Sequence, residues 1–266
     1  MRQTHQPLRS SLALCIIMAV KVVLWRRKEL PAVASHSDSP AAPLRPVKIL
    51  AVSDEVAPQI YDAGIRSRFP DVELVLSCGD VPHYYLEYIV GMLNVPLLYV
   101  MGNHGYELET SEGPGPGKPP EGCVNIHGRV VRYQGLSIAG LEGSMRYKNG
   151  PYQYTQSEME ALSLRLALQL LPNRLKTGNW LDILLTHAPP LGVHDGTDQC
   201  HTGFRAFLRL MRRCRPRYLI HGHTHVYSRL QVQTTLYGTT TVINAFPYRV
   251  LDIPTATTRA EGASHG

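Results

Sequence analysis

Cysteine is scarce in this chain, and the few that occur do not form pairs. The five are Cys15, Cys78, Cys123, Cys200 and Cys214, an odd number without any C-x-x-C spacing. Such a set argues against a disulfide framework and against a zinc site built from thiolates. A reducing compartment fits best, and we therefore expect a cytoplasmic protein.

The chain also lacks an apolar run of the length that a bilayer requires. Residues 12–25 form its best candidate, but this run has about 14 residues and contains Lys21, whereas a span needs roughly 20. Three basic residues at 26–28 follow where an export signal is usually uncharged, although A-x-A at 32–34 resembles a cleavage site. A non-spanning leader is expected, with membrane association through residues 10–28 and export as alternatives.

Most of the chain lacks a net positive charge. Of the formal net charge of +6, residues 1–46 supply +5, from seven Lys or Arg against two acidic residues. The remaining 220 residues carry 20 basic and 19 acidic side chains, a net of +1. A nearly neutral body lacks the basic surface that a nucleic acid selects, so no specific nucleic-acid partner is expected.

Composition divides the chain into three regions. Residues 31–46 contain four prolines among Ala and Ser with no apolar period, which is typical of an extended linker. We therefore expect a leader and linker over 1–46, one globular domain over 47–254 and a polar tail over 255–266.

The first half of that domain alternates short β-like runs with helical stretches, which predicts an α/β fold. Strands are expected at 47–53, 72–80 and 96–104, with helices near 57–69 and 84–93. Each strand stops at a polar residue that can bind a cation. Because sites collect at the carboxyl ends of strands in such sheets, Asp54, Asp80 and Asn103 should converge on one rim.

The second half is predicted to contain a hairpin, a long helix and two further strands. The hairpin covers residues 129–140 and turns near Gly135, while the helix has start signals at Thr155 and is expected to end at Pro172. The two strands, residues 181–187 and 217–225, end in His187, His223 and His225.

Each of these polar residues is weak evidence alone, since a lone Asp after a strand usually caps a turn. Their order is far more specific. The motifs are D-x-V at 54–56, GD at 79–80, GNH at 102–104, THAPP at 186–190 and GHTH at 222–225. In this order they resemble the calcineurin-like metallophosphoesterase family, and most closely its brain-type and class III cyclic-nucleotide phosphodiesterase branch.

The resemblance implies a fold and a set of site residues. The fold is an α/β four-layer sandwich, with two mixed β-sheets flanked by helices. The first metal would be held by Asp54, Asp80 and His225, and the second by Asp80, Asn103, His187 and His223. His104 would be catalytic, donating a proton to the leaving alkoxide or stabilising the phosphate oxygens.

The implied activity is metal-dependent hydrolysis of phosphodiesters, including cyclic nucleotides, or of phosphomonoesters. Imidazole, carboxylate and amide-oxygen ligands suit Mn²⁺, Fe or Zn²⁺. Two such divalent ions would generate a bridging hydroxide nucleophile near neutral pH. The expected partner is thus a small phosphate-ester substrate.

Two positions depart from the family's pattern. The His of D-x-H is Val56, which weakens the first metal site, and the acid after GNH is Gly105, which leaves His104 without its orienting carboxylate. Glu55 is an alternative ligand, although neighbouring strand residues point to opposite faces, so we expect it to face away from Asp54. A catalytically impaired interaction module is the rival interpretation.

Several loop and helix residues leave their roles open. After the His187 strand, either four residues line the mouth of the site, namely His194, Asp195, Asp198 and His201, or Thr202 or Asp198 caps the next helix. Arg146 and Tyr147 either reach a substrate phosphate or are solvated.

Overall fold

Two large β-sheets dominate the computed structural model, which describes residues 46–104, 118–227 and 232–255. The first sheet contains β1 (Val47–Val52), β2 (Leu74–Ser77), β3 (Leu97–Tyr99), β4 (Cys123–Asn125) and β13 (Tyr248–Ile253). The second contains β5 (Val130–Tyr133), β6 (Leu136–Leu141), β9 (Ile183–Thr186), β10 (Tyr218–His221), β11 (Thr234–Tyr237) and β12 (Thr240–Asn244). A short parallel pair is formed by β7 (Ser144–Met145) and β8 (Gln153–Tyr154).

Both large sheets are mixed. The strand orders are β13-β1-β2-β3-β4 and β11-β12-β10-β9-β6-β5. In each sheet four neighbouring strands run parallel, and antiparallel strands lie only at the edges: β13 in the first, β11 and β5 in the second. The carboxyl ends of the parallel strands therefore lie along one edge, where polar side chains can meet.

Helices cover the outer faces of the two sheets. They are α1 (Ile65–Arg68), α2 (His83–Leu93), α3 (Gln156–Thr177) and α4 (Arg205–Cys214). On β1, Ile49 and Ala51 pack in the core between the sheets, whereas Leu50 and Val52 pack with buried residues of α1 and α2. On β9, Leu184 packs with α3 and α4. This period-2 alternation builds the predicted four layers.

Two local predictions are confirmed. The hairpin joins β5 to β6 through Gln134 and Gly135, whose φ angles of 43° and 80° are those of a tight primed turn. Helix α3 begins with a capping box, in which Thr155 accepts from the Glu158 backbone N–H and Glu158 accepts from that of Thr155.

The helix predicted over residues 57–69 is wrong for most of its length. Only α1, the last four residues before Phe69, is helical, and the preceding stretch forms turns. The Asp62 side chain accepts a hydrogen bond from the Gly64 N–H at 2.9 Å. A short acidic side chain that bonds the backbone two residues on favours a turn over a helix.

Pro172 does not end α3, which continues to Thr177 and stops at Gly178 in the left-handed conformation. Proline inside a helix costs about 3 kcal/mol. Buried Asn173 offsets this cost, because its amide donates to the carbonyls of Asn179 (3.2 Å) and Trp180 (2.7 Å). Contacts beyond the helix thus hold its last turn.

In the part of the chain that the structure describes, no helix has the length and apolar character needed to cross a bilayer. Residues 10–28, the segment assigned to membrane association, lie outside the described residues. So do nearly all of the leader and linker (1–46) and of the tail (255–266), and those boundaries stay predictions.

Candidate metal centre

The predicted ligands all follow carboxyl ends of parallel strands. Asp54 comes after β1, Asp80 after β2, Asn103 and His104 after β3, His187 after β9, and His223 and His225 after β10. These strands belong to both sheets. The site is therefore built across the edge of the sandwich.

Backbone reversals aim three of these side chains. Asp54, Asp80 and His223 have φ angles of 64°, 54° and 66°, in the left-handed region that residues other than glycine seldom adopt. Such conformations cost of order 1–3 kcal/mol each and persist where the surrounding structure holds them. They take each side chain out of the strand's alternation and turn it to the rim.

Two glycines let the carboxylates approach the backbone closely. A Cβ atom at Gly102 would lie 1.9 Å from Oδ1 of Asp80, and one at Gly222 would lie 2.5 Å from Oδ2 of Asp54. Both distances are far below van der Waals contact. Any larger residue at either position would displace a carboxylate.

His187 is fully buried, and its two ring nitrogens have different partners. Nδ1 donates to the Cys78 carbonyl at 2.8 Å, which leaves Nε2 facing Oδ2 of Asp80 at 3.2 Å and Oδ1 of Asn103 at 3.0 Å. Burial alone would lower the pKa of His187, but the Asp80 carboxylate outweighs it and raises the pKa to about 9. Burial likewise opposes ionisation of Asp80, whose pKa His187 holds at about 2. Asp80 therefore attracts positive charge strongly into this space.

His223 is oriented in the same way. Its Nε2 donates to the Cys200 carbonyl at 2.8 Å, which leaves Nδ1 as the nitrogen for a cation. Burial and the neighbouring His187 lower the pKa of His223 to about 4, so its lone pair is available at neutral pH. Ligand atoms of Asp80, His187 and His223 all lie within 4.8 Å of one another.

Asp54 and His225 form the other half of the centre. Oδ2 of Asp54 accepts from the His223 backbone N–H at 2.8 Å, and Oδ1 lies 3.8 Å from Nε2 of His225. The carboxylate of Asp54 raises the pKa of His225. The far side of the His225 ring stacks on Phe246, with centroids 4.7 Å apart, and Nδ1 lies 2.9 Å from Oη of Tyr227. This support fixes the ring toward Asp54.

An open cavity of about 370 Å³ adjoins these groups. Its wall is formed by Asp54, Glu55, Val56, Asp80, Pro82, His104 and His225. His104 is exposed there, and its backbone N–H donates to Oδ1 of Asp80 at 2.8 Å. Val56 is half-buried and packs against the α1–α2 side of the sandwich.

Glu55 also lines this cavity, so the expectation that it faces away from Asp54 is wrong. Strand β1 already ends at Val52, and the reversal at Asp54 breaks the alternation on which that expectation relied. Gly105, the second departure from the family's pattern, lies outside the described residues.

A calcineurin-like phosphoesterase family profile matches residues 49–227, which is more than half of the chain. The chain belongs to this family. Two lariat debranching enzymes are similar to it: 25 % identical over 201 residues in Caenorhabditis briggsae and 26 % over 205 residues in Caenorhabditis elegans. Each match covers 59 % of this chain but only 39 % and 40 % of those enzymes, respectively.

Two further proteins are similar over most of the chain. A UPF0046 protein of Caenorhabditis elegans is 26 % identical over 217 residues, covering 75 % of this chain and 69 % of that protein. The crystal structure of TT1561 from Thermus thermophilus superimposes with a TM-score of 0.50 at 16 % identity, covering 79 % of this chain and 95 % of the other. That structural likeness concerns the fold alone.

Sequence reasoning missed His221 and left the roles of His194 and Tyr147 open. His221 is the last residue of β10, and its Nε2 lies 2.9 Å from Nδ1 of His194, whose Nε2 lies 2.9 Å from Oγ1 of Thr235. His194 is therefore held by His221 and Thr235, and it is not among the residues that line the cavity beside Asp54. Tyr147 contacts a predicted ligand directly, since its hydroxyl accepts a hydrogen bond from Nδ2 of Asn103 at 3.3 Å.

The loop residues whose roles the sequence left open have different contacts in the structure. Asp198 closes a turn by accepting from the backbone N–H of His201, and it does not cap α4. His201 does line the centre, with its ring 4.9 Å from that of His223. Arg146 forms an ion pair with Glu158 at the start of α3, at 2.9 Å. No sequence pattern identifies these partners.

Proposed function

We propose that this phosphoesterase-family protein is a metal-dependent hydrolase of phosphodiesters, including cyclic nucleotides, that uses two divalent cations. The observation that carries the proposal is the convergence of Nε2 of His187 on oxygens of Asp80 and Asn103, with the Nδ1 proton donated to a carbonyl. An oriented imidazole beside a carboxylate and an amide oxygen is a typical set of ligands for Mn²⁺, Fe or Zn²⁺.

The division of ligands follows the two halves of the centre. Asp54, Asp80 and His225 would hold the first cation, and the second would take the buried set: Asp80, Asn103, His187 and His223. The carbonyl of Cys200 and that of Cys78 would orient the histidines of the second set. When bound, the cations acidify water and offset the negative charge of the phosphate oxygens. His104, exposed on the cavity wall, would give a proton to the leaving alkoxide.

The substrate class is the finer part of the proposal. We favour a diester over a monoester because two relatives are named as lariat debranching enzymes. A cavity of about 370 Å³ suits a ligand the size of a nucleotide. The cyclic-nucleotide assignment rests on the motifs' resemblance to the brain-type and class III branch.

The test uses purified protein with Mn²⁺ and a panel of esters. The panel comprises bis-p-nitrophenyl phosphate, p-nitrophenyl phosphate, 2′,3′- and 3′,5′-cyclic nucleotides, and a branched RNA. We expect turnover of the diesters, lost in Asp80→Asn and retained in Asp71→Asn, which removes an exposed carboxylate that does not line the cavity. Absence of turnover with Mn²⁺, Fe²⁺, Zn²⁺ and Co²⁺ would overturn the proposal. Cleavage of the branched RNA alone would replace the small substrate by a nucleic acid.

A second candidate is an interaction module that keeps the fold without catalysis. Val56 favours it, since an apolar side chain lines the cavity where the family has a ligand. Metal analysis separates the two: near two equivalents supports the hydrolase, and near zero supports the module. One equivalent would indicate a mononuclear site.

A further inference from the structure

The half of the centre that loses a ligand to Val56 has a carboxylate directly beside the loss. Glu55 lines the same cavity as Asp54, Asp80 and His225, and it is exposed. Position 55 thus faces the first cation's surroundings, although the family's pattern assigns no ligand there.

The local backbone explains how adjacent residues reach one cavity. The β1 ladder ends at Val52, and the Glu55 N–H donates to the Ser53 carbonyl at 2.7 Å, which closes a tight bend around Asp54. Asp54 itself has a φ of 64°. The alternation of an extended strand therefore does not apply from residue 53 onward, and Asp54, Glu55 and Val56 all contribute to the wall.

The charges around the cavity favour a cation. Three carboxylates, those of Asp54, Glu55 and Asp80, share the wall with the imidazoles of His104 and His225. Among the described residues, no lysine or arginine lines it. A divalent ion would relieve the repulsion among the three carboxylates.

We infer that Glu55 is a ligand of the first cation and takes the place of the histidine that Val56 lacks. The inference rests on the proposed function. With Asp54, the shared Asp80 and His225, Glu55 completes a set of four protein ligands, three of which are carboxylates. An oxygen in place of an imidazole nitrogen shifts the preference of the first site toward harder ions such as Mn²⁺ over Zn²⁺.

The test measures Mn²⁺ binding by the full chain with calorimetry and with electron paramagnetic resonance. In the second method, a pair of neighbouring Mn²⁺ ions gives a spin-coupled signal. Wild type should bind two equivalents. In Glu55→Gln, affinity at the first site should fall at least about tenfold with the second unchanged, and the coupled signal should weaken at sub-saturating metal. Asp71→Asn is the matched control for the loss of one negative charge and should bind as wild type.

A rescue variant separates ligation from general electrostatics. Glu55→Gln with Val56→His restores the family's ligand and should recover first-site affinity, although it does not restore the charge. Equal first-site affinity in wild type and Glu55→Gln would overturn the assignment of Glu55 while the dinuclear proposal stands. Wild type that binds no Mn²⁺ would overturn the dinuclear proposal, and the assignment with it. A wild type with one equivalent, unaffected by Glu55→Gln, would overturn the assignment of Glu55 and would replace the dinuclear proposal by a mononuclear site.

Discussion

Nε2 of His187 lies 3.2 Å from Oδ2 of Asp80, and the two side chains come from different sheets. Residues 107 positions apart in the chain thus form one buried pair, in which each partner stabilises the charge of the other. The pair links the two sheets at the edge where the proposed cations would lie.

Replacing Asp80 should change the titration of His187. In Asp80→Asn the carboxylate that opposes the effect of burial is gone, so the pKa of His187 should fall from about 9 to its ordinary 6.5 or below. Proton NMR titration of the metal-free protein measures this shift. A His187 resonance that still titrates near pH 9 would contradict the role of Asp80.

Gly222 should tolerate no side chain. A Cβ in Gly222→Ala would lie 1.7 Å from Oγ of Ser53 and 2.5 Å from Oδ2 of Asp54, so the variant should lose stability and bind Mn²⁺ at least about tenfold more weakly at the first site. Gly91→Ala is the matched control, because nothing lies within 4 Å of a Cβ there and the position is inside α2. It should raise the free energy of unfolding by about 0.5–1 kcal/mol. Equal effects of the two variants in urea unfolding would argue against the close packing at Gly222.

Tyr147 should position Asn103. Its hydroxyl accepts from Nδ2 of Asn103, which keeps Oδ1 turned toward His187. Tyr147→Phe should weaken Mn²⁺ binding at the second site by about tenfold and leave the first site unchanged. Tyr84→Phe, an exposed tyrosine on α2, should bind as wild type. Calorimetry checks both, and a first-site effect alone would refute the positioning role.

Glu142 should make the stability of the protein depend on pH. Burial raises the pKa of this carboxyl from 4.5 to about 7, even though it accepts a hydrogen bond from Tyr154 at 2.8 Å. Since the folded-state pKa lies above the unfolded value, its contribution to stability is complete below pH 4.5 and is lost as the pH rises through 7.

Glu142→Gln should therefore gain stability relative to wild type by up to about 3 kcal/mol between pH 4.5 and pH 8. Urea unfolding at both pH values measures the difference. A constant gap between variant and wild type would show that Glu142 does not titrate in this range.

The α/β class and the polar residues after the strands were predictable from local patterns, whereas the four-layer architecture and the ligand set followed from the motifs' resemblance to the family. Alternating apolar runs specify strands, and polar residues after those runs predict where a centre forms, as for Asp54 and Asp80. The capping box at Thr155 and the turn at Gly135 depend only on residues a few positions apart. Such local signals can be recognised from the sequence without knowledge of tertiary contacts.

Features that depend on distant contacts were not predictable. Pro172 lies inside α3 because Asn173 donates to carbonyls beyond the helix. His194 is held by a contact with Thr235, which is 41 positions away in the chain. The direction of Glu55 depends on a backbone reversal that no period describes.

The sequence alone determined which residue types stand at the strand ends and in what order, because hydrophobic alternation and motif spacing are local properties of the chain. Only the tertiary structure decided which ring nitrogen each histidine turns to the centre and that Glu55 shares its cavity. Those outcomes follow from hydrogen bonds and packing between segments far apart in sequence, which form only when both sheets are assembled.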